Sequence, residues 1–134
     1  MRHYKIGELA AAAGVRRDTV RYYEKLGLLR KPDRTSSGYR VYDAVDLERL
    51  NFIRAAQNLG FTLENSRQLL NIRSSDDASA KAVLDIAYAK IKDTESRLRR
   101  LIDIRDALQM LADQCPVEVP ASDCPILHYL SSKQ

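Results

Sequence analysis

Between Phe61 and Cys115 the chain contains neither glycine nor proline. Within that stretch Leu84, Ala87, Ile91, Thr94, Leu98, Leu101, Arg105, Leu108 and Ala112 recur at alternating intervals of three and four. Seven of those nine positions are apolar, which is the seam of a coiled coil. The spacing predicts one continuous helix from about residue 78 to residue 113, after the acidic pair Asp76-Asp77. A helix of ~35 residues is ~50 Å long at a rise of ~1.5 Å per residue, too long for the remainder of a small chain to cover. The seam therefore calls for a partner, most simply the same helix of a second copy in a homodimer.

The 134 residues amount to one domain with a helical extension and are too few for a barrel enzyme or a two-domain kinase. A hydrophobic share of 45% beside a charged share of 30% suits a folded chain with a core. The net charge of +4 is unevenly spread: residues 1–73 hold 14 Lys/Arg against 8 Asp/Glu, and residues 74–134 hold 8 against 10. A surface that meets a polyanion thus belongs to the N-terminal half. No apolar run approaches the ~18 residues of a membrane span, and Glu8 interrupts the weakly apolar start. This reads as a cytoplasmic protein without a membrane partner. In that compartment Cys115 and Cys124 stay reduced, which disfavours a structural disulfide and favours metal or redox chemistry.

All five glycines lie within the first sixty residues, so this half turns often. Ile6, Leu9, Ala10 and Ala13 space out a short helix that Gly14 stops. After a tight turn at Val15-Arg16, a second helix over 18–26 turns Val20, Tyr23 and Leu26 inward and leaves Arg17, Thr19, Arg21, Tyr22 and Lys25 outward. Ser37-Gly38 then makes a turn before Tyr39-Arg40-Val41-Tyr42, whose alternation predicts a small hairpin. Asp43 caps the next helix, and Thr62, with Glu64 in the first turn, opens another. Helix, turn, helix and hairpin are the parts of a winged helix-turn-helix. Arg17, Arg21 and Lys25 supply charge, and Thr19 and Tyr22 supply hydroxyls that fix register on phosphates. A solvated amphipathic helix would carry similar residues. Arg34, Tyr39 and Arg40 on the hairpin tip the balance, since a wing beside a recognition helix is where a second basic strip meets DNA. Arg17 and Thr19, at the helix start, are the candidates for reading bases.

Tyr4-Lys5-Ile6-Gly7-Glu8-Leu9-Ala10, Gly14-Val15 and Thr19-Val20-Arg21-Tyr22-Tyr23-Glu24-Lys25-Leu26-Gly27-Leu28-Leu29 resemble the N-terminus of MerR-type transcriptional regulators. So do Arg34-Thr35-Ser36-Ser37-Gly38-Tyr39-Arg40-Val41-Tyr42, Leu50-Asn51-Phe52-Ile53-Arg54 and Leu59-Gly60-Phe61. The likeness continues through the long helix to the Cys-Pro motif. It implies a mainly α fold: a winged helix-turn-helix domain with connecting helices over 1–73, an antiparallel coiled-coil dimerisation helix over 74–114, and a metal-binding loop with a short helix over 115–134. It further implies a homodimer on a pseudo-palindromic operator in double-stranded promoter DNA, which activates by distorting an overlong spacer so that RNA polymerase engages both promoter elements. Arg16 departs from the pattern, standing where the family usually has a capping Ser or Thr. Asp18 compensates in part through the helix dipole.

Two thiolates on a short loop at a helix end are soft ligands that can converge on one ion. Two buried apolar thiols are the plainer alternative, against which both cysteines precede proline in a loop too short for an interior of its own. In the resembled family this loop binds the effector. Members that sense divalent ions draw a third ligand, typically a Cys, from the start of the partner's long helix, where this chain reads Asp76-Asp77-Ala78-Ser79-Ala80-Lys81. The resemblance is then to the copper-efflux branch, in which two thiolates hold Cu(I), Ag(I) or Au(I) linearly, here with Pro116, Val117, Val119 and Ile126 to exclude water. His128, four residues after Cys124, together with Asp123 or Glu118, keeps Zn(II) or Cd(II) as the alternative, and a disulfide-forming thiol switch is a third reading. For an enzyme, no nucleophile with a base and no carboxylate pair is apparent, and the cysteines do not form a CxxC. A coiled-coil adaptor would leave the hairpin and the exposed Arg/Tyr face without a purpose.

Overall fold

The computed structural model describes residues 3–132, so the outermost positions of the expected segments 1–73 and 115–134 lie outside the described residues. In chain order it contains α1 (Ile6–Ala13), α2 (Arg17–Lys25), a two-stranded hairpin of β1 (Asp33–Arg34) and β2 (Arg40–Val41), α3 (Ala44–Asn58), α4 (Leu63–Ser74), α5 (Ala80–Asp113), a 3-10 turn (Ala121–Asp123) and α6 (Pro125–Ser132). Two compact units divide the chain inside α5, one through Ala87 and the other from Tyr88.

In the first unit Leu9, Ala13, Val20, Tyr23, Leu50, Ile53 and Leu70, drawn from α1 to α4, form one apolar cluster. The local signals act as expected. Gly14 takes the left-handed conformation that ends α1 (φ 70°). Asp43 caps α3 by accepting from the backbone N–H of Val45 and Asp46, and Thr62 caps α4. The reciprocal half of that second cap is Asn65 rather than an acid. Leu28 and Leu29, in the connection after α2, are as buried as any helical residue. They lie outside any periodic segment and so carry no sequence signal of burial. Three arginines reach back from α3 and α4 to carbonyls near the ends of α1 and α2: Arg54 donates to Ala13 O, Arg67 to Leu26 O, and Arg49 to Leu28 O at 3.0 Å. Cations at helix C-termini satisfy orphan carbonyls and the dipole together.

The hairpin is antiparallel, with Asp33 opposite Val41 and Arg34 opposite Arg40. Gly38 supplies the positive φ its turn requires (87°), and its N–H donates to Thr35 O. Tyr4 pairs with Tyr42 through two backbone hydrogen bonds of 2.7 and 2.8 Å, tying the start of the chain to the end of the wing.

The 34 residues of α5 include none that is buried. Leu84, Ile91, Leu98, Leu101 and Leu108, five of the seam positions, are each about half exposed or more. No helix among the described residues is long and apolar enough to cross a membrane.

Candidate nucleic-acid interface and thiol pair

Helix α2 begins one residue earlier than its periodicity predicts, at Arg17, because Arg16 takes the N-cap position with extended backbone (φ −84°, ψ 155°). The Arg16 side chain makes no capping hydrogen bond. Val20 and Tyr23 face the core, and the Tyr23 hydroxyl donates to Gln57 at 2.6 Å. Burial pushes that phenol up from its ordinary pKa. Arg17, Arg21, Tyr22 and Lys25 lie on the exposed side, while Thr19 is half-buried rather than fully outward.

The structure brings four of the seven expected DNA-facing residues to one open groove. Arg17 and Arg21 from α2 and Tyr39 and Arg40 from the wing line a concavity of about 630 Å³ with Lys5 and Gly7. Gly7 leaves room here for the Arg17 guanidinium: a Cβ at that position would lie 2.6 Å from it and displace the end of that flexible side chain. A second groove, of about 450 Å³, holds Arg21, Lys25, Lys31, Arg34 and Arg40. Arg21 and Arg40 border both grooves, whereas Thr19 and Tyr22 border neither. Tyr39 is the most exposed aromatic of the wing, at 69%. Arg34 closes the turn by donating to Gly38 O at 2.8 Å. Arg21 pairs with Asp18 at 3.2 Å, but both side chains are more than half exposed, so the pair is weak and leaves the guanidinium available.

Three contributors carried no clear signal in the sequence. Lys5 and Lys31 flank the helices without belonging to a periodic face. Glu24, in the last turn of α2, reaches the wing: it accepts from the Tyr42 hydroxyl and pairs with Arg40 at 3.2 Å. Arg40 is therefore half-buried and partly engaged within the protein. Beyond the wing, Arg30 bridges Asp43 and the buried Asp46. The backbone N–H of Asp46, then the Arg30 guanidinium, hold the Asp43 carboxyl below its ordinary pKa.

In the second unit Cys115 follows α5 and Cys124 immediately precedes α6; both are free and half-buried. Cys124 immediately precedes the first turn of α6, where the backbone N–H groups of Leu127 and Ile126 favour its thiolate. These, and to a smaller extent the nearby Cys115 thiol, lower its pKa below the ordinary thiol value. The two thiols, eight residues apart in sequence, are thus near enough to influence one another's ionisation. His128 lies one turn into α6, where its backbone N–H donates to Cys124 O at 3.0 Å. Its ring Nε2 donates to Ser122 O at 2.8 Å. Among the described residues no group of three His, Cys, Asp or Glu side chains is placed to hold one ion. Of the four apolar residues expected to exclude water, Val119 and Ile126 are half-buried and Pro116 is exposed. Val117 is 86% exposed and has a positive φ of 55°.

Residues 4–72 match the family described as MerR HTH family regulatory protein, and residues 47–111 match MerR, DNA binding. The chain is 39% identical to a mercuric resistance operon regulatory protein of Bacillus cereus, over 97% of this chain and 98% of that one. It is 42% identical to the HTH-type transcriptional regulator ZntR of Escherichia coli K12, over 84% and 80%. The transcription regulator PbrR691 from Ralstonia metallidurans CH34, solved in complex with lead(II), superposes with a TM-score of 0.84 at 35% identity, covering 95% of this chain and 98% of that one. These similarities do not single out the copper-efflux branch from relatives associated with mercury and lead.

Proposed function

Because the chain belongs to the MerR family of helix-turn-helix transcription regulators, which are not enzymes, we propose that it is a metal-responsive activator of a metal-efflux or resistance promoter, with a soft ion held by Cys115 and Cys124 as its signal. It acts in the cytoplasm as a homodimer on double-stranded promoter DNA. Each copy contributes Arg17, Arg21, Tyr39 and Arg40 along one groove and Arg34 along the other, with Thr19 and Tyr22 beside them on α2. The seam of α5 joins the copies in an antiparallel coiled coil.

The observation that carries the metal reading is the placement of Cys124 at the start of α6, where backbone N–H groups favour its thiolate and Cys115 is near enough to contribute. The donor set fits the ion. Two cysteines share one short loop, and the α6 N–H groups favour the thiolate of Cys124, the form that binds metal. The chain has only two cysteines, so no third thiolate can come from elsewhere in it or from a second copy's long helix. Two soft ligands without a third favour a monovalent ion, Cu(I), Ag(I) or Au(I), over ions that prefer three or four ligands. The protein's own part is to hold the sulfurs together and to shield them with Val119 and Ile126. Metal leaves DNA bound and changes its shape, so that RNA polymerase engages both promoter elements.

The second reading is a divalent ion such as Zn(II) or Cd(II), with His128 as a further ligand. It is favoured by the similarity to the lead(II)-bound regulator and to the mercuric one. To serve, His128 would use Nδ1 or give up its bond to Ser122. Anaerobic titration of the reduced protein with Cu(I), Ag(I), Zn(II), Cd(II) and Hg(II) against competing chelators separates the two. Tight Cu(I) binding that survives His128→Ala supports the two-thiolate site. Tighter Zn(II) or Cd(II) binding that disappears with His128 establishes the divalent one, and formation of a disulfide in place of metal uptake establishes the thiol switch.

A further inference from the structure

Glu24 is the one carboxylate among the residues lining the groove between α2 and the wing, where its neighbours include Arg21, Lys25, Lys31, Arg34 and Arg40. A carboxylate in that position repels a phosphate backbone and works against DNA affinity. Its two oxygens indicate another task. One accepts from the hydroxyl of Tyr42, a residue 1% exposed, and the other lies 3.2 Å from Arg40 Nη1. Both partners belong to the far side of the wing: Arg40 in β2, and Tyr42 just beyond it, where its backbone pairs with Tyr4. The Glu24 side chain is itself 11% exposed, so these charge-assisted bonds form largely out of water, where they are strongest.

We infer that Glu24 is a positioning residue whose carboxylate fastens the wing to the recognition helix through Tyr42 and Arg40, and so fixes the separation of the basic side chains the two elements present to DNA. The inference rests on the reading of this face as the DNA interface. Phosphate contacts set register on the duplex. A wing held at one separation favours the site whose backbone fits it, whereas a loosened wing with all its cations still binds any duplex. Arg40 is the link, since it borders both grooves while paired to Glu24.

The test uses the full-length protein with Glu24→Gln, which keeps an acceptor for Tyr42 and removes the charge, and Tyr42→Phe, which keeps the buried ring and removes the hydroxyl. Amide exchange is followed at Thr35 and Tyr42, whose N–H groups are hydrogen-bonded in the wing. Binding is measured over a range of salt to a duplex selected from a random library by the wild-type protein and to a random-sequence duplex. Faster exchange at both amides is expected, with exchange in α4 unchanged. Preference for the selected duplex should fall about tenfold, which is ~1.4 kcal/mol, while random-duplex binding is retained or tightened. Unchanged exchange overturns the clamp. Equal gains on both duplexes reduce Glu24 to an electrostatic brake and overturn its part in site preference. A wild-type protein that selects no duplex overturns the DNA reading itself, and the exchange data then decide alone whether the clamp exists.

Discussion

Asp43 serves two partners with one carboxylate, capping α3 through the N–H groups of Val45 and Asp46 and receiving the Arg30 guanidinium. Asp43→Ala should cost about 1–2 kcal/mol, as N-cap losses do, lowering the melting midpoint by roughly 4–8 °C per kcal/mol. Because its carboxyl is held below the ordinary value, the contribution is complete at neutral pH and is lost as pH falls below about 4, through the folded-state pKa. The gap in stability between wild type and variant should therefore close in acid, as urea unfolding across pH would record. The same scale explains what the sequence concealed. Fourteen basic residues precede Ser74, but Arg30, Arg49, Arg54 and Arg67 are turned to carboxylates and carbonyls within the protein, and Arg73 lies over the Phe52 ring. Residue type alone does not separate these from Arg21, which pairs with the exposed Asp18. Arg21→Ala should weaken selected and random duplexes alike and flatten the dependence of log K on log salt by about 0.9 for one lost phosphate contact. An unchanged slope would place Arg21 off the interface.

At the scale of elements, legibility follows length and periodicity. The seam of α5 recurs from Leu84 to Ala112 and is plain in the sequence, and the caps of α3 and α4 have local signatures. The wing strands are two residues each, too short for alternation to fix their bounds, and the nearness of Cys115 to Cys124 depends on a loop path no spacing rule gives. Helix α2 begins without a side-chain cap at Arg16. Arg16→Ser should therefore stabilise the first unit by about 0.5–1 kcal/mol, the ordinary worth of an N-cap, seen as a higher melting midpoint; no gain would mean the first-turn Asp18 already suffices. Ile91 and Leu98, each about half exposed in the single chain, are two of the seam positions that the proposed partner helix would bury. Ile91→Asp with Leu98→Asp should give a monomer by sedimentation with little loss of helix by circular dichroism, and with no binding to the selected duplex. A wild-type protein monomeric at micromolar concentration would contradict the seam's role.

For the whole molecule, the proposed regulator carries its reading head in the first unit and its thiol pair in the second, and would stay on its promoter and change the DNA's shape when metal arrives. Transcription from a promoter carrying the selected site, in a purified system under anaerobic conditions, tests this most directly. Wild-type protein and the Cys115→Ser and Cys124→Ser variants are compared with and without Cu(I), with promoter occupancy followed by footprinting in the same reactions. The expected result is full occupancy in every case and a rise in transcript only for wild type with Cu(I). Release of the promoter on adding metal, or induction that persists without either thiol, would contradict the account.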